Sequence, residues 1–216
     1  MKVNSCLLNC RVFLPQISLL ILLFCSKPTN GFGIDGVRTY TGLAISKIEY
    51  EGYPYTPEFN NLISATSGIE LSFFEEPFGN FSTRLSYMER GGNEVSYNSD
   101  TTSKISFNYL SLGVIYKYRY KMGFTNPTVS FGPRFDYLIR SWYEYEQPPY
   151  EDYNCGFDLG LGLDKAISDN VVLSLDFTWD YQFIPVVEDF YKEQWMKNAF
   201  LCTIGFEYKF NKKAEL

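Results

Sequence analysis

The sequence predicts an all-β chain, an eight-stranded antiparallel up-and-down transmembrane β-barrel, and three observations carry that prediction. Period-two alternation recurs in eight segments, each with a bulky apolar face and a small or polar face. The connections between them alternate between short turns and long polar-aromatic stretches. The polar faces carry glycines and charges of both signs, which suits a lumen only just wide enough for side chains. A solvated sheet surface would carry little glycine, because glycine weakens strands.

Taken in chain order, the first element is an export signal. Lys2 and Arg11 lead into VFLPQISLLILLFC (Val12–Cys25), which has h-region length and is too short to span a bilayer as a helix. Thr29-Asn30-Gly31 supplies permissive residues for cleavage after Gly31, so residues 1–31 read as a cleaved signal peptide. An uncleaved anchor is one alternative. Another is a lipoprotein acylated at Cys25, although bulky Phe24 fits that signal poorly. Residues 32–210 then form the barrel and 211–216 a C-terminal tail, and the length suits a single β domain.

The strands follow. Tyr40–Tyr50 has the weakest alternation. Thr66–Phe74 presents Ile69, Leu71 and Phe73 on one face, and Phe81–Met88 presents Phe81, Thr83, Leu85 and Tyr87. Ile105–Tyr120 aligns Leu110, Leu112, Val114, Tyr116 and Tyr118; Thr128–Ile139 aligns Val129, Phe131, Phe135, Tyr137 and Ile139. Asn154–Asp164 offers Phe157, Leu159, Leu161 and Leu163, and Val171–Phe183 offers a run from Val171 through Trp179 to Phe183. The last, FLCTIGFEYKF (Phe200–Phe210), sets Phe200, Cys202, Ile204, Phe206, Tyr208 and Phe210 against Gly205, Glu207 and Lys209. Its ten steps of about 3.4 Å, tilted by about 40°, rise roughly 26 Å, matching an outward apolar band about 25 Å tall.

EEPFGN, KMGFTN and AISDN are the short connections. EGYPYTPEFNNLIS, RGGNEVSYNSDTTSK, RSWYEYEQPPYEDY and IPVVEDFYKEQWMKN are the long ones. Outer-membrane barrels sort their connections this way, with short periplasmic turns and long external loops, which places both termini in the periplasm. The composition agrees: 18 Tyr and 19 Phe suit rings set at an apolar–wet boundary. A net charge of −6 without a basic cluster argues against nucleic acid as a partner.

Catalytic, cofactor and metal chemistry find no footing. The chain has no histidine, so histidine-based triads and histidine-ligated zinc are out of reach. GFDLGLG precedes no helix and reads as an inward glycine stripe. Past the signal only Cys155 and Cys202 remain, on non-adjacent strands, and they read as free thiols.

The informative polar set faces inward. Glu70, Arg84, Lys117, Arg119, Arg134 and Asp136 come from strands 2 to 5; Asp158, Asp164, Asp176, Asp180, Glu207 and Lys209 come from strands 6 to 8. A turn centred near Pro77 sets Glu70 opposite Arg84, and a turn centred near Ile167 sets Asp158 opposite Asp176, with Asp136 at a similar level. A basic wall of Arg84, Lys117, Arg119 and Arg134 would then face an acidic wall. One reading is a structural plug of cross-lumen ion pairs. The other is a gated ion path with a cation site at Asp136, Asp158 and Asp176.

YLSLGVIYKY (Tyr109–Tyr118), VSFGPRFDYLI (Val129–Ile139), FDLGLGLDKAI (Phe157–Ile167) and the closing TIGFEYKF together resemble the PorT-like "outer membrane protein β-barrel domain" family of Bacteroidota. The resemblance runs from about residue 40 to residue 210. It implies an outer-membrane location and a non-enzymatic role in structure, loop-mediated binding or secretion. It also implies that Phe210 is the terminal aromatic recognised by the barrel-assembly machinery. The expected partners are therefore outer-membrane lipid, that machinery during biogenesis, and a secretion-system or surface partner at the long loops. The alternatives are a small gated ion or solute channel and a soluble exported lipocalin-like carrier.

Overall fold

The computed structural model describes residues 34–51, 58–76, 79–95, 102–142, 152–183 and 194–210. These form β1 (Ile34–Glu51), β2 (Glu58–Glu76), β3 (Gly79–Val95), β4 (Thr102–Arg119), β5 (Thr125–Trp142), β6 (Tyr153–Ser168), β7 (Val171–Gln182) and β8 (Gln194–Lys209). Each strand pairs antiparallel with its sequence neighbour, and β8 closes on β1 from Gly36↔Lys209 to Glu51↔Gln194. The seam is extended by the Phe210 amide, which donates to the Asp35 carbonyl at 2.8 Å. The predicted signal peptide, the tail 211–216 and much of each long connection lie outside the described residues.

The aromatic face points outward. Leu161, Phe177, Phe200 and Phe206 are all more than half exposed, while Glu70, Lys117, Asp136 and Asp176 on the opposite faces are buried. A lipocalin-like carrier needs the reverse arrangement, so this face assignment removes that alternative's core. The outward apolar wall gives a direct prediction for a barrel folded in lipid. Leu161→Arg should cost about 2–4 kcal/mol, the range for a cation on the lipid face near the midplane. Gly160→Ser should be milder, because the added Cβ meets the mobile hydroxyl of Ser130 and lies 3.2 Å from that of Thr178. Denaturant titration in lipid vesicles compares the two, and a harmless Leu161→Arg would mean that Leu161 does not face lipid.

The strands are longer than the alternation predicts, chiefly at the long-connection end. Residues 58–64 of EGYPYTPEFNNLIS and 90–95 of RGGNEVSYNSDTTSK are strand, not loop. The reason is an inversion of pattern. Along most of the wall apolar residues point out, but toward this end Ile48, Phe59, Ile105, Phe107 and Tyr109 point in and are fully or almost fully buried. Their outward neighbours are polar: Asn61 and Lys104 are exposed, and Lys104 pairs with Glu89 at 2.7 Å. An alternation read in one constant phase stops where the phase reverses. Ala44, Met88, Ala199 and Leu201 form a second small apolar cluster inside.

Candidate functional site: the lumen charge network

The inward faces of the eight strands carry one continuous chain of ion pairs. Toward the short-turn end, Lys117 on β4 reaches Asp164 on β6 at 2.8 Å and Asp176 on β7 at 3.6 Å. Arg119 joins Asp164 at 2.9 Å and Glu207 at 3.5 Å. Arg38 on β1 is paired with Asp176 and lies 3.7 Å from Glu70. In the middle, Arg84 grips Glu70 through Nε at 3.1 Å and Nη2 at 3.0 Å, and its Nη1 lies 3.7 Å from Asp158. Ser82 donates a further hydrogen bond to Glu70 at 2.8 Å.

Deeper toward the long-connection end, Arg134 on β5 binds three carboxylates. Its Nε donates to Asp136 at 2.8 Å, and its terminal nitrogens pair with Asp158 and Asp180. Arg90 on β3, fully buried, completes this knot with Asp136 at 2.9 Å and Asp180 at 2.6 Å. Above it the guanidinium of Arg90 lies 5.2 Å from the centre of the Tyr109 ring, which links the ionic layer to the apolar one.

Inward glycines make this arrangement possible. A Cβ on Gly156 would strike the Arg134 guanidinium, and one on Gly205 would strike that of Arg38. Both arginines lie flat on a neighbouring strand where any side chain would displace them. Within the stripe GFDLGLG, Gly156 gives room to Arg134, whereas Gly160 faces Ser130 and Thr178, and Gly162 faces Asp176 and Thr128.

The structure brings together Glu70, Arg84, Lys117, Arg119, Arg134, Asp136, Asp158, Asp176 and Glu207 in the same lumen, and Glu70 stands opposite Arg84 as its register requires. The β6–β7 register is different from the one expected. Asp158 stands opposite Asp180, and Asp176 opposite Gly162. The turn sits at Asp169–Asn170, not at Ile167, with an irregularity between Ala166 and Ser168 that shifts the pairing. Consequently Asp136, Asp158 and Asp176 do not assemble as a cation site. Asp136 and Asp158 meet Asp180 instead, and arginines occupy the space between them. Among the described residues no cluster of three or more carboxylates and thiols is disposed to hold a metal ion.

The two-wall picture also changes. Arg38 and Arg90, absent from the predicted set, supply two of the most buried cations. Arg90 opens RGGNEVSYNSDTTSK, a stretch whose pattern predicts a long connection. Carrying the phase of Arg84, Ser86 and Met88 one further step would have placed it in the lumen. Arg38 likewise shares the inward phase of Tyr40 but precedes the predicted strand start. Cys155 and Cys202 are free, on the outer wall, and Phe210 is outward and exposed at the end of β8.

Neither a protein-family model nor a curated protein sequence matches this chain. Among solved structures it is similar to Neisserial surface protein A, with a TM-score of 0.53 at 11% identity, over 84% of this chain and 100% of that one. It is also similar to the outer membrane protein OprG of Pseudomonas aeruginosa, with a TM-score of 0.57 at 10% identity, over 84% of this chain and 98% of that one. At such identities the likeness concerns architecture alone: this chain has the eight-stranded barrel fold of outer-membrane proteins.

Proposed function

We propose that the protein is a non-enzymatic outer-membrane barrel of the PorT-like kind, with a sealed lumen and long loops that make its external contacts. The observation that carries the reading is the filled interior. Arg38, Arg84, Arg90, Lys117, Arg119 and Arg134 are tied to Glu70, Asp136, Asp158, Asp164, Asp176, Asp180 and Glu207, so the lumen is occupied by its own side chains. An ion-pair interior of this kind specifies one strand register, since each charge has a partner only there. The outward aromatic wall supplies the lipid contact, and Phe210, exposed at the closing seam, is the residue the barrel-assembly machinery would read.

The role left to the surface is recognition by the long connections, with a secretion-system component or another surface partner as the target. Topology tests this arrangement. On intact cells, a tag in RSWYEYEQPPYEDY should be reached by antibody or protease from outside, and a tag in AISDN should not. Exposure of AISDN on intact cells would invert the orientation. The channel reading stays a rival because a network of paired charges could also open, and conductance separates the two.

A further inference from the structure

The β4–β5 connection, Tyr120–Phe124, is unlike the polar β6–β7 turn at Asp169–Asn170. It exposes Phe124 by 92%, with Met122 and Tyr120 also more than half exposed. Gly123 takes a positive φ of 82°, and Asn126 accepts a hydrogen bond from the Met122 amide at 3.1 Å, so the tip has a defined shape. An apolar tip of this kind at the end of a barrel needs a partner that is neither water nor the barrel itself.

Its position identifies that partner. On β4 the outward apolar run goes from Leu110 through Leu112, Val114, Tyr116 and Tyr118 to Tyr120. Ten steps at strand rise and a tilt of about 40° give roughly 26 Å, the height of an apolar band in such barrels. The tip that follows therefore falls at the head-group layer. The wall leading to it is continuous and aromatic: Tyr116 contacts both Phe81 and Phe131, with ring centres 4.9 and 5.6 Å apart. Two exposed cations flank the tip, Lys121 within it and Lys165 on β6, whose Cα is paired with that of Thr125.

We propose that this turn is a lipid-binding anchor at the short-turn face. Phe124 and Met122 enter the boundary between acyl chains and head groups, and Lys121 and Lys165 take anionic lipid phosphates. The proposal rests on the membrane reading above, so its test carries an internal reference. Trp142, Trp179 and Trp195 are replaced by Phe, and a single Trp is introduced either by Phe124→Trp or by Leu161→Trp. Each variant is folded into vesicles of phosphatidylglycerol and phosphatidylcholine. The fluorescence of the Leu161→Trp protein should be quenched by lipids brominated deep in the chain. That of the Phe124→Trp protein should be quenched by lipids brominated near the head group and protected from aqueous acrylamide, with the protection reduced by Lys121→Glu/Lys165→Glu.

Quenching by acrylamide at position 124 beside normal lipid quenching at 161 would overturn the anchor and leave the membrane reading intact. So would protection at 124 that appears only when a soluble periplasmic fraction is added, since that points to a protein partner. Absence of lipid quenching at both positions would overturn both. If the tryptophan-free background does not fold, Phe124→Cys carrying a polarity-sensitive dye, in a chain with Cys6, Cys10, Cys25, Cys155 and Cys202 all replaced by Ser, reads the same depth.

Discussion

Replacing Arg134 by alanine should destabilise the barrel by about 3–5 kcal/mol, the range for removing one partner from a buried ionic group. Arg134 is buried and holds Asp136, Asp158 and Asp180 together. Without it Arg90 and Arg84 remain as the nearby cations, at 2.9 Å from Asp136, 2.6 Å from Asp180 and 3.7 Å from Asp158. Three carboxylates would then share two guanidinium groups, and like charges side by side cannot all ionise cheaply. Arg84→Ala should cost less, because Glu70 keeps Ser82 at 2.8 Å and Arg38 at 3.7 Å. Combining Arg134→Ala with Asp158→Asn should recover part of the loss, since the two sites are directly coupled. Denaturant titration of the vesicle-folded proteins gives all three values. Equal costs for Arg134→Ala and Arg84→Ala would mean that the knot around Arg134 is not the tighter layer.

The second large effect lies in the apolar layer. Phe107→Ala should cost about 3–5 kcal/mol, because Phe107 is fully buried and its removal leaves a cavity among Ile48, Phe59, Ile105 and Tyr109. Phe206→Ala offers the contrast. Phe206 is 58% exposed on the outer wall, where lipid chains would refill the vacated space, so its cost should be a small fraction of that of Phe107→Ala. Similar losses for the two would show that the inner cluster is not an enclosed core. The comparison also tests the inversion of pattern: one phenylalanine is stabilised by protein, the other by solvent lipid.

Much of the fold could be read directly because its signal is local. Alternation in β6, β7 and β8 keeps one phase along nearly the whole strand, and their outward residues are those expected. The extension of β2 escaped because the pairing slips between Asn61 and Thr66, which turns Phe59 inward out of phase with Leu62 and Ser64. That of β3 escaped because Gly91 and Gly92 read as a turn, although Arg90 continues the inward series of Arg84. The Glu70–Arg84 apposition is legible because β2 and β3 are joined by few residues, Glu76 pairing with Gly79, which keeps the register close to the one expected. The Asp158–Asp176 apposition failed for the same kind of reason in reverse. A turn placed two residues too early moves every cross-strand partner by four, although Asp169 and Asn170 are turn formers and Ile167 is a strand former, so the composition of AISDN itself favours the observed tip. The convergence of Arg134 on three carboxylates depends on strand tilt and lumen width, which no single strand encodes.

The most direct test of a sealed barrel is ion conduction by the purified wild-type protein in a planar lipid bilayer. The lumen holds two barriers in series, the ion-pair network and the apolar layer around Phe107, and eight strands leave little room beyond their own side chains. The account therefore predicts a near-silent wild type, silence persisting in Arg84→Ala, and current only when Arg84→Ala is joined by Phe107→Ala. Steady conductance by the wild type, unchanged by either substitution, would contradict the sealed lumen and establish the pore in its place.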